Sequence, residues 1–290
     1  LYITLHNTCD GADKHLPNNV SNPFNIQNLI KPNYTIAMKK FILAAAMLAA
    51  GTTMVVAQNT GYNRVGVSYD NTNYGFNDLM KLDQEMDGFS TNGVGINYIH
   101  GFSLSSSLPM FIETGLNFNI GFGSKNIGNK EEEDGFWLQE KYKFQNINLQ
   151  VPVNFVYRFN ATEDFSISPY VGLNFKLNLA SKFKTQIDHN LPDEIMGELD
   201  EEDIEWIEGK WCNLFSDSKE NMGDKDLTWN RFQMGWHVGV GFQYKPFYLG
   251  VQYGTDFIPA YKHKFDFEGY PSETYKVNTG NLKITLGYCF

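Results

Sequence analysis

Alternation of apolar and polar side chains is the feature that most constrains this fold. Its clearest run, residues 147–159, places Ile, Leu, Val, Val, Phe, Tyr and Phe at every second position. Because neighbouring side chains of a strand point to opposite sides, such a run forms one apolar and one mostly polar face. Strands of soluble sheets usually have about five or six residues, whereas a membrane-crossing strand needs roughly 9 to 11. The long runs therefore indicate strands that separate lipid from a polar interior.

Eight runs of this kind follow one another along the chain. They span residues 64–69, 94–98, 112–122, 147–159, 170–179, 231–244, 247–253 and 282–290. Short connections follow the second, fourth and sixth runs, and long connections follow the first, third, fifth and seventh. Outer-membrane barrels show this alternation, since their periplasmic turns are short and their extracellular loops are long. We therefore predict an all-β fold, an eight-stranded antiparallel up-and-down transmembrane β-barrel in the bacterial outer membrane.

A soluble barrel is the main alternative to this architecture. A lipocalin-like barrel would turn its apolar faces inward and its polar faces to water. The polar positions of residues 113–121 and 231–243 are rich in Gly, Asn and Gln. Glycine at these positions suits a crowded lumen better than a solvated surface, because it leaves room for neighbouring side chains.

The first 57 residues differ in character from the barrel region. Residues 1–37 carry no sign of ordered structure, and we expect them to be a disordered over-extension of the true start. A segment that begins at Met38 has a Lys pair, an apolar stretch and a small-residue end at 55–57. These three parts are typical of a secretory signal peptide, which we predict at 38–57. The barrel domain then spans 58–290.

The chain is acidic, with 23 Lys plus Arg against 33 Asp plus Glu and a net charge of −10. A surface of this sign disfavours nucleic acid as a partner. The acid is concentrated at 188–226, where 14 acidic residues and three Lys give a net charge of −11. This stretch dominates a long loop predicted at 184–228, after the fifth strand.

The same acidic loop allows a short helix and raises the question of a metal site. Pro192 followed by Asp193 and Glu194 is typical of a helix start. The run 200–203, like 131–134 in another loop, offers the carboxylates that hard divalent cations prefer. Because both runs lack the alternating spacing and central Gly of a calcium loop, we expect solvated surfaces and no metal site.

Eight inward-facing charged or polar positions are predicted to form a polar network in the lumen. They are Arg64, Glu113, Gln150, Arg158, Lys176, Arg231, His237 and Lys283. An eight-stranded barrel is just wide enough for its own side chains to fill, so we expect packing and not a conducting pore. Buried charges need partners, and in this set bases outnumber acids. A bound anion or ordered water is an alternative way to balance that charge.

Several short stretches resemble the PorT-like outer-membrane β-barrel proteins of Bacteroidetes-type bacteria. They are Asn148-Leu149-Gln150-Val151-Pro152-Val153, Tyr157-Arg158-Phe159, Pro169-Tyr170-Val171-Gly172-Leu173, Gly239-Val240-Gly241-Phe242 and Leu286-Gly287-Tyr288-Cys289-Phe290. The resemblance spans the barrel region, and its motifs mark the barrel and not a reaction. It implies that Leu286, Tyr288 and Phe290 form the signal by which the barrel assembly machinery recognises its substrates. It also implies a link to secretion, since PorT itself serves a secretion system.

Catalysis has little support in the sequence. The histidines His100, His189, His237 and His263 are scattered, and no nucleophile elbow, zinc-protease motif or phosphate-binding glycine loop is present. Cys212 and Cys289 lie in unrelated stretches, so we expect free thiols. We predict no catalytic residues and no cofactor.

The function predicted from these features is that of a monomeric, non-enzymatic barrel. It would be an envelope anchor or interaction component that contacts outer-membrane lipid and other envelope proteins. A barrel enzyme acting on lipid or protein and a small porin are the alternatives.

Overall fold

The computed structural model describes most of the barrel region. The described residues are 61–79, 81, 87–105, 107–128, 130–133, 135–215, 229–265 and 272–290. The predicted over-extended start at 1–37 and the signal peptide at 38–57 lie outside them, as do residues 216–228 of the acidic loop.

Twelve strands and two helices have defined bounds in this part of the chain, and residues 78, 79 and 81 are helical as well. The strands are β1 Tyr62–Phe76, β2 Gly88–Ser103, β3 Met110–Asn126, β4 Glu131–Glu133, β5 Phe136–Tyr157, β6 Phe159–Asn160, β7 Phe165–His189, β8 Cys212–Asn213, β9 Phe232–Tyr244, β10 Phe247–Asp256, β11 Tyr261–Phe265 and β12 Glu273–Cys289. The helices are α1 Asp193–Met196 and α2 Glu201–Glu208.

Eight of these strands form a closed antiparallel ring. Around the ring they follow the order β1, β2, β3, β5, β7, β9, β10 and β12, and β12 pairs back with β1. Each of the eight contains all or nearly all of one predicted run, so the fold prediction is confirmed. The connections at 104–109, 161–164 and 245–246 are short, and we call their side of the barrel the turn end. The opposite side, with the long connections, is the loop end.

The outer wall of the ring is apolar. Val67, Val94 and Leu286 are 57%, 67% and 59% exposed, and they belong to the apolar faces of three different runs. In a soluble fold such a wall would be unfavourable over this area, whereas in a bilayer it matches the hydrocarbon. The alternative of a soluble barrel with an apolar interior is therefore wrong for the ring.

The strands β5 and β7 extend further towards the loop end than the sequence predicted. β5 starts at Phe136 although its run starts at 147, and β7 continues to His189 through residues assigned to the loop 184–228. The prediction stopped short because the apolar and polar faces exchange sides in these extensions. Beyond the apolar wall, the inward residues Tyr142 and Phe144 are aromatic and the intervening Lys143 faces outward.

A cluster of inward-facing apolar residues closes the loop end, and we call it the loop-end plug. Its buried members are Tyr74, Phe89, Ile127, Tyr142, Phe144, Phe183, Cys212, Leu214, Ala260, Tyr261 and Val277. Phe89 stacks on Phe144 with ring centroids 3.4 Å apart and also stacks on Tyr74 at 4.5 Å. The plug contains residues of both the barrel wall and the loops. Cys212 and Leu214 belong to the segment after α2.

Apolar packing and strand pairing hold the long loop after β7 against the barrel. Asp200 caps α2 by accepting a hydrogen bond from the backbone nitrogen of Asp203 at 2.9 Å. Ile207 of α2 is buried, and β8 pairs with β7. The predicted short helix is thus present as α1 and α2. Among the described residues, neither helix has the length and apolar composition that a membrane crossing needs.

The two cysteines of the barrel region differ. Cys289 is a buried free thiol, as expected. Cys212 is disulfide-bonded, so the expectation of a free thiol at this position is wrong.

Candidate functional site

A buried ion pair in the lumen joins β1 to β3 near the turn end. Both terminal nitrogens of Arg64 donate to the Glu113 carboxylate, at 3.0 and 3.1 Å. Tyr62 and Asn154 also donate to this carboxylate, the latter at 3.2 Å. Glu113 is only 2% exposed, so its charge is balanced by a paired base and by further donors in place of water.

Two further ion pairs lie on the loop side of this one. The Lys176 ammonium is 2.6 Å from an oxygen of Asp256, and the Lys283 ammonium is 3.4 Å from an oxygen of Asp70. Thr279 also donates to Asp256. All four charged side chains are 8% exposed or less. The predicted excess of base in the lumen is therefore absent around these lysines, because each has an acidic partner that the sequence prediction omitted.

Asp70 and Asp256 had a usable signal in the sequence. Asp70 continues the inward positions of β1 that start at Arg64, and Asp256 continues those of β10 that start at Tyr248. Both are missing from the predicted lumen network because the predicted strands stop at 69 and 253. Extending the alternation by a few residues would have identified them.

Neutral amides connect the ion pairs. Gln150 accepts a hydrogen bond from Lys283 at 2.9 Å and donates to Asn148 at 2.8 Å. His237 is 1% exposed, and its Nε2 lies 2.6 Å from Asn154 Oδ1. His237 is thus held by an amide that also contacts Glu113, which gives it a structural partner within the network.

Glycines on the inward faces make room for large aromatic rings. A Cβ on Gly241 would come within 2.5 Å of the Tyr248 ring, and one on Gly239 within 2.4 Å of the Tyr170 ring. The Tyr248 ring in turn carries the Arg64 guanidinium at 3.8 Å from its centroid. These close approaches explain why strands β9 and β10 contain so much glycine.

Two predicted network residues lie apart from the ion pairs. Arg158 follows β5 at the turn end, where its guanidinium stacks over Tyr62 at 4.3 Å and over Phe111 at 4.7 Å. Arg231 precedes β9 at the loop end, over the Phe215 ring at 4.1 Å, and donates to two carbonyls of β7. The structure therefore places Arg231 at the loop end of the barrel and not among the buried ion pairs of the lumen. Its run began one residue before the strand.

The three terminal residues predicted to guide assembly form an outward row on β12 and beyond it. Leu286, Tyr288 and Phe290 are 59%, 49% and 63% exposed. Phe290 and Asn63 exchange two backbone hydrogen bonds, each of 2.9 Å, so the last residue helps to close the ring against β1.

The lumen side chains that the structure describes enclose little open space. One small lumen cavity, lined by Asp70, Asn119, Asn148 and Gln150 among others, has a volume of about 10 Å³. That is about the space of one water molecule. Within the described ranges, no three His, Cys, Asp or Glu side chains gather in a way that would hold a metal ion.

Comparison with solved structures finds similar proteins at low sequence identity. Similar solved structures include Ail of Yersinia pestis (12% identity, 80% of this chain and 100% of that chain covered, TM-score 0.32) and OprG of Pseudomonas aeruginosa (12%, 80% and 97%, 0.36). At these identities and TM-scores the likenesses carry no argument about function. No curated protein matches the chain in sequence.

One family match covers most of the chain. Residues 56–260 match the family described as "Outer membrane protein beta-barrel domain". The match takes in seven of the eight ring strands and places the protein in the bacterial outer membrane. The chain therefore belongs to the outer membrane protein β-barrel family.

Proposed function

We propose that this protein is a non-enzymatic, monomeric outer-membrane anchor that presents its loop end to another protein of the cell envelope. The observation that carries the proposal is the filled interior. The lumen holds three buried ion pairs and a cavity of about 10 Å³, and the loop-end plug covers it. A barrel filled in this way acts through its outer surfaces, because its interior offers little room to a solute.

The loop end supplies a suitable surface. α2 exposes Glu201, Glu205 and Glu208, while Ile207 and the pairing of β8 with β7 hold the segment against the barrel. A surface fixed in this way loses little conformational entropy on binding, which favours docking of a preformed partner. The acidic side chains favour a basic partner.

The resemblance to PorT suggests that this partner belongs to a protein secretion system. In this proposal the turn end faces the periplasm and the loop end faces outward, as is usual for barrels with one short and one long set of connections. Outer-membrane lipid surrounds the apolar wall, and nucleic acid is not a partner.

A photo-crosslinking residue at Glu205 tests the docking surface in cells. We expect one discrete crosslinked protein at this position and none from the matched position Val67, which lies on the apolar wall. The triple variant Glu201→Gln, Glu205→Gln, Glu208→Gln, tested with a crosslinker at the neighbouring Trp206, should weaken the crosslink. No discrete product from either α2 position would contradict the proposal.

Two assays separate the proposal from its alternatives. A barrel enzyme would release fatty acid or peptide when the purified protein is incubated with outer-membrane lipid or protein, whereas an anchor would release neither. A small porin would conduct ions in a planar bilayer. The buried position of His237 and its contact with Asn154 support a structural role for this histidine over a catalytic one.

Delivery to the membrane is a separate part of the proposal. We assign Leu286, Tyr288 and Phe290 as the signal for the barrel assembly machinery. Phe290→Ala keeps the two backbone bonds to Asn63, so refolding of the purified variant into detergent should be unchanged. The amount of variant in cell outer membranes should fall severalfold. Normal membrane levels would contradict the assignment.

A further inference from the structure

The outer wall changes character at a sharp level near the loop end. Val94 on β2, Phe122 on β3 and Leu179 on β7 are the last large apolar residues that face outward, and they are 67%, 56% and 45% exposed. On these three strands the outward positions beyond them are polar or charged. In an outer-membrane barrel this level is where lipid hydrocarbon gives way to headgroups.

The ladder between β2 and β3 ends at the same level, although the ring itself is closed. Their pairing begins at Asn92 and Phe122, although β2 starts at Gly88 and β3 continues to Asn126. Residues 88–91 and 123–126 therefore do not pair with each other. The Lys125 ammonium bridges the gap by donating to the Gly88 carbonyl at 2.7 Å. Unpaired strand edges next to a membrane require other polar partners.

A crevice of about 760 Å³ lies in this gap. Its lining includes Phe89 and Phe144 of the loop-end plug, the outward-facing Ser124 and Phe122, and Lys143. The crevice thus combines an apolar floor with polar groups at headgroup level, as an amphiphilic ligand requires.

Basic side chains continue from the crevice around the outer face. Ser124 is opposite Lys143 in the β3–β5 ladder, and Lys143 is opposite Lys184 in the β5–β7 ladder. Lys143 lies between the buried Tyr142 and Phe144, which fixes its outward direction. Lys184 is likewise adjacent to the buried Phe183. We call Ser124, Lys143 and Lys184 the headgroup row.

The two lysines of the headgroup row make no ion pair among the described residues, although Asp87 also lines the crevice. Like charges opposite each other in a ladder are unfavourable. Among the described residues neither Lys143 nor Lys184 pairs with a carboxylate, and the Lys184 ammonium lies 6.0 Å from the Trp211 ring. The neighbouring Lys141 shows the contrast, because it pairs with Asp188 at 2.9 Å. Two adjacent ammonium groups in a strongly acidic chain fit a ligand that carries phosphate.

We propose that the headgroup row and the adjoining crevice bind the phosphorylated headgroup of an outer-leaflet lipid. The phosphate lies between Lys143 and Lys184, the unpaired strand edges and Ser124 supply further hydrogen bonds, and the acyl chains lie on the apolar wall beneath. The outer leaflet is the relevant one because the orientation proposed above places the loop end outward.

Native mass spectrometry of the purified barrel in neutral detergent tests this site, with diphosphoryl lipid A as the probe. We expect wild-type protein to retain lipid A in preference to phosphatidylcholine. Lys143→Gln with Lys184→Gln should weaken lipid A binding about 30-fold, since each lysine near an anionic lipid surface contributes about a fivefold factor. The charge-matched control Lys81→Gln with Lys262→Gln, at a partly exposed and an exposed position off the row, should bind as wild type does.

Three results would overturn the site. They are equal binding of lipid A and phosphatidylcholine by wild type, an unchanged affinity in the Lys143/Lys184 variant, and displacement of lipid A by inorganic phosphate at equal concentration. The heat-modifiable gel mobility of each variant shows that the barrel has folded. Because the assay uses purified protein and lipid alone, its failure would leave the proposed protein partner untouched, and the reverse also holds.

Discussion

Arg64 and Phe144 both point into the same barrel, yet different interactions stabilise them. Arg64 depends on polar pairing, and Phe144 depends on apolar packing. Arg64 belongs to the turn-end half of the interior, where Glu113, Asn154 and other polar groups satisfy one another. Phe144 belongs to the loop-end plug, where it stacks on Phe89 and excludes water. The polar half depends on complete pairing, whereas the plug depends on close packing.

This difference follows the position of the membrane. Where lipid covers the outside, the apolar residues face outward and the polar residues fill the lumen. Where the strands extend past the apolar wall, headgroups and water replace lipid hydrocarbon outside and the alternation inverts, with Lys143 outward and Phe144 inward. The same strand β5 is therefore a membrane strand in one half and resembles a strand of a soluble barrel in the other.

The largest effect is expected from breaking a single ion pair in the polar half. Glu113→Ala leaves the Arg64 guanidinium buried without its carboxylate, which should lower the free energy of unfolding by about 3–5 kcal/mol. Urea unfolding in detergent or lipid vesicles measures the change. The matched double variant Arg64→Met, Glu113→Leu should lose much less, because no charge remains unpaired. Equal losses in the two variants would mean that the polar half is stabilised by packing alone.

Removing a ring from the plug should have a comparable but slightly smaller effect. Phe144→Ala deletes a side chain that is 6% exposed, and we expect a loss of about 3 kcal/mol, since the surrounding rings relax only partly into the cavity. Phe136→Ala changes an exposed residue of the same strand and should cost far less. Matching losses at the two positions in thermal unfolding would argue against a packed plug.

Replacing a glycine in the polar half by alanine should lower the free energy of unfolding by a smaller amount. Gly241→Ala pushes a Cβ against the Tyr248 ring and should destabilise the barrel by about 2 kcal/mol, as overpacking usually does. In the background of Tyr248→Leu the same change should be nearly neutral. A double-mutant cycle measures this coupling, and a coupling near zero would contradict the close approach.

An exposed ion pair gives the smallest expected effect. Lys245 and Asp164 lie 3.5 Å apart at the turn end, with more than half of each side chain exposed. Asp164→Asn should change the free energy of unfolding by less than about 0.5 kcal/mol, because water screens the pair. A loss close to that of Glu113→Ala would remove the distinction between buried and exposed charge.

The sequence predicted the half of the interior that lies within the membrane. Strict alternation identifies Glu113, Lys176 and Lys283 as inward residues, because the outward residues next to them are apolar. Their partners Asp70 and Asp256 were missed only because the predicted strands ended a few residues early.

Strict alternation of apolar and polar residues does not predict the loop-end plug. Tyr142 and Phe144 alternate with lysines, so a rule that places apolar residues outward assigns their direction wrongly. Cys212 and Leu214 reach the plug from a loop, and no local pattern reveals such a long-range contact. The headgroup row was missed for a similar reason, because Lys143 and Lys184 are distant in sequence and become neighbours only through the β5–β7 register.

The filled interior is the central claim, and electrical conductance of the wild-type barrel in a planar lipid bilayer tests it most directly. Protein that has inserted, as shown by its heat-modifiable mobility after recovery, should give a flat current across a wide range of voltages. Stable stepwise currents from the inserted wild-type protein would contradict the claim, since they require a continuous aqueous path past the ion pairs and the plug.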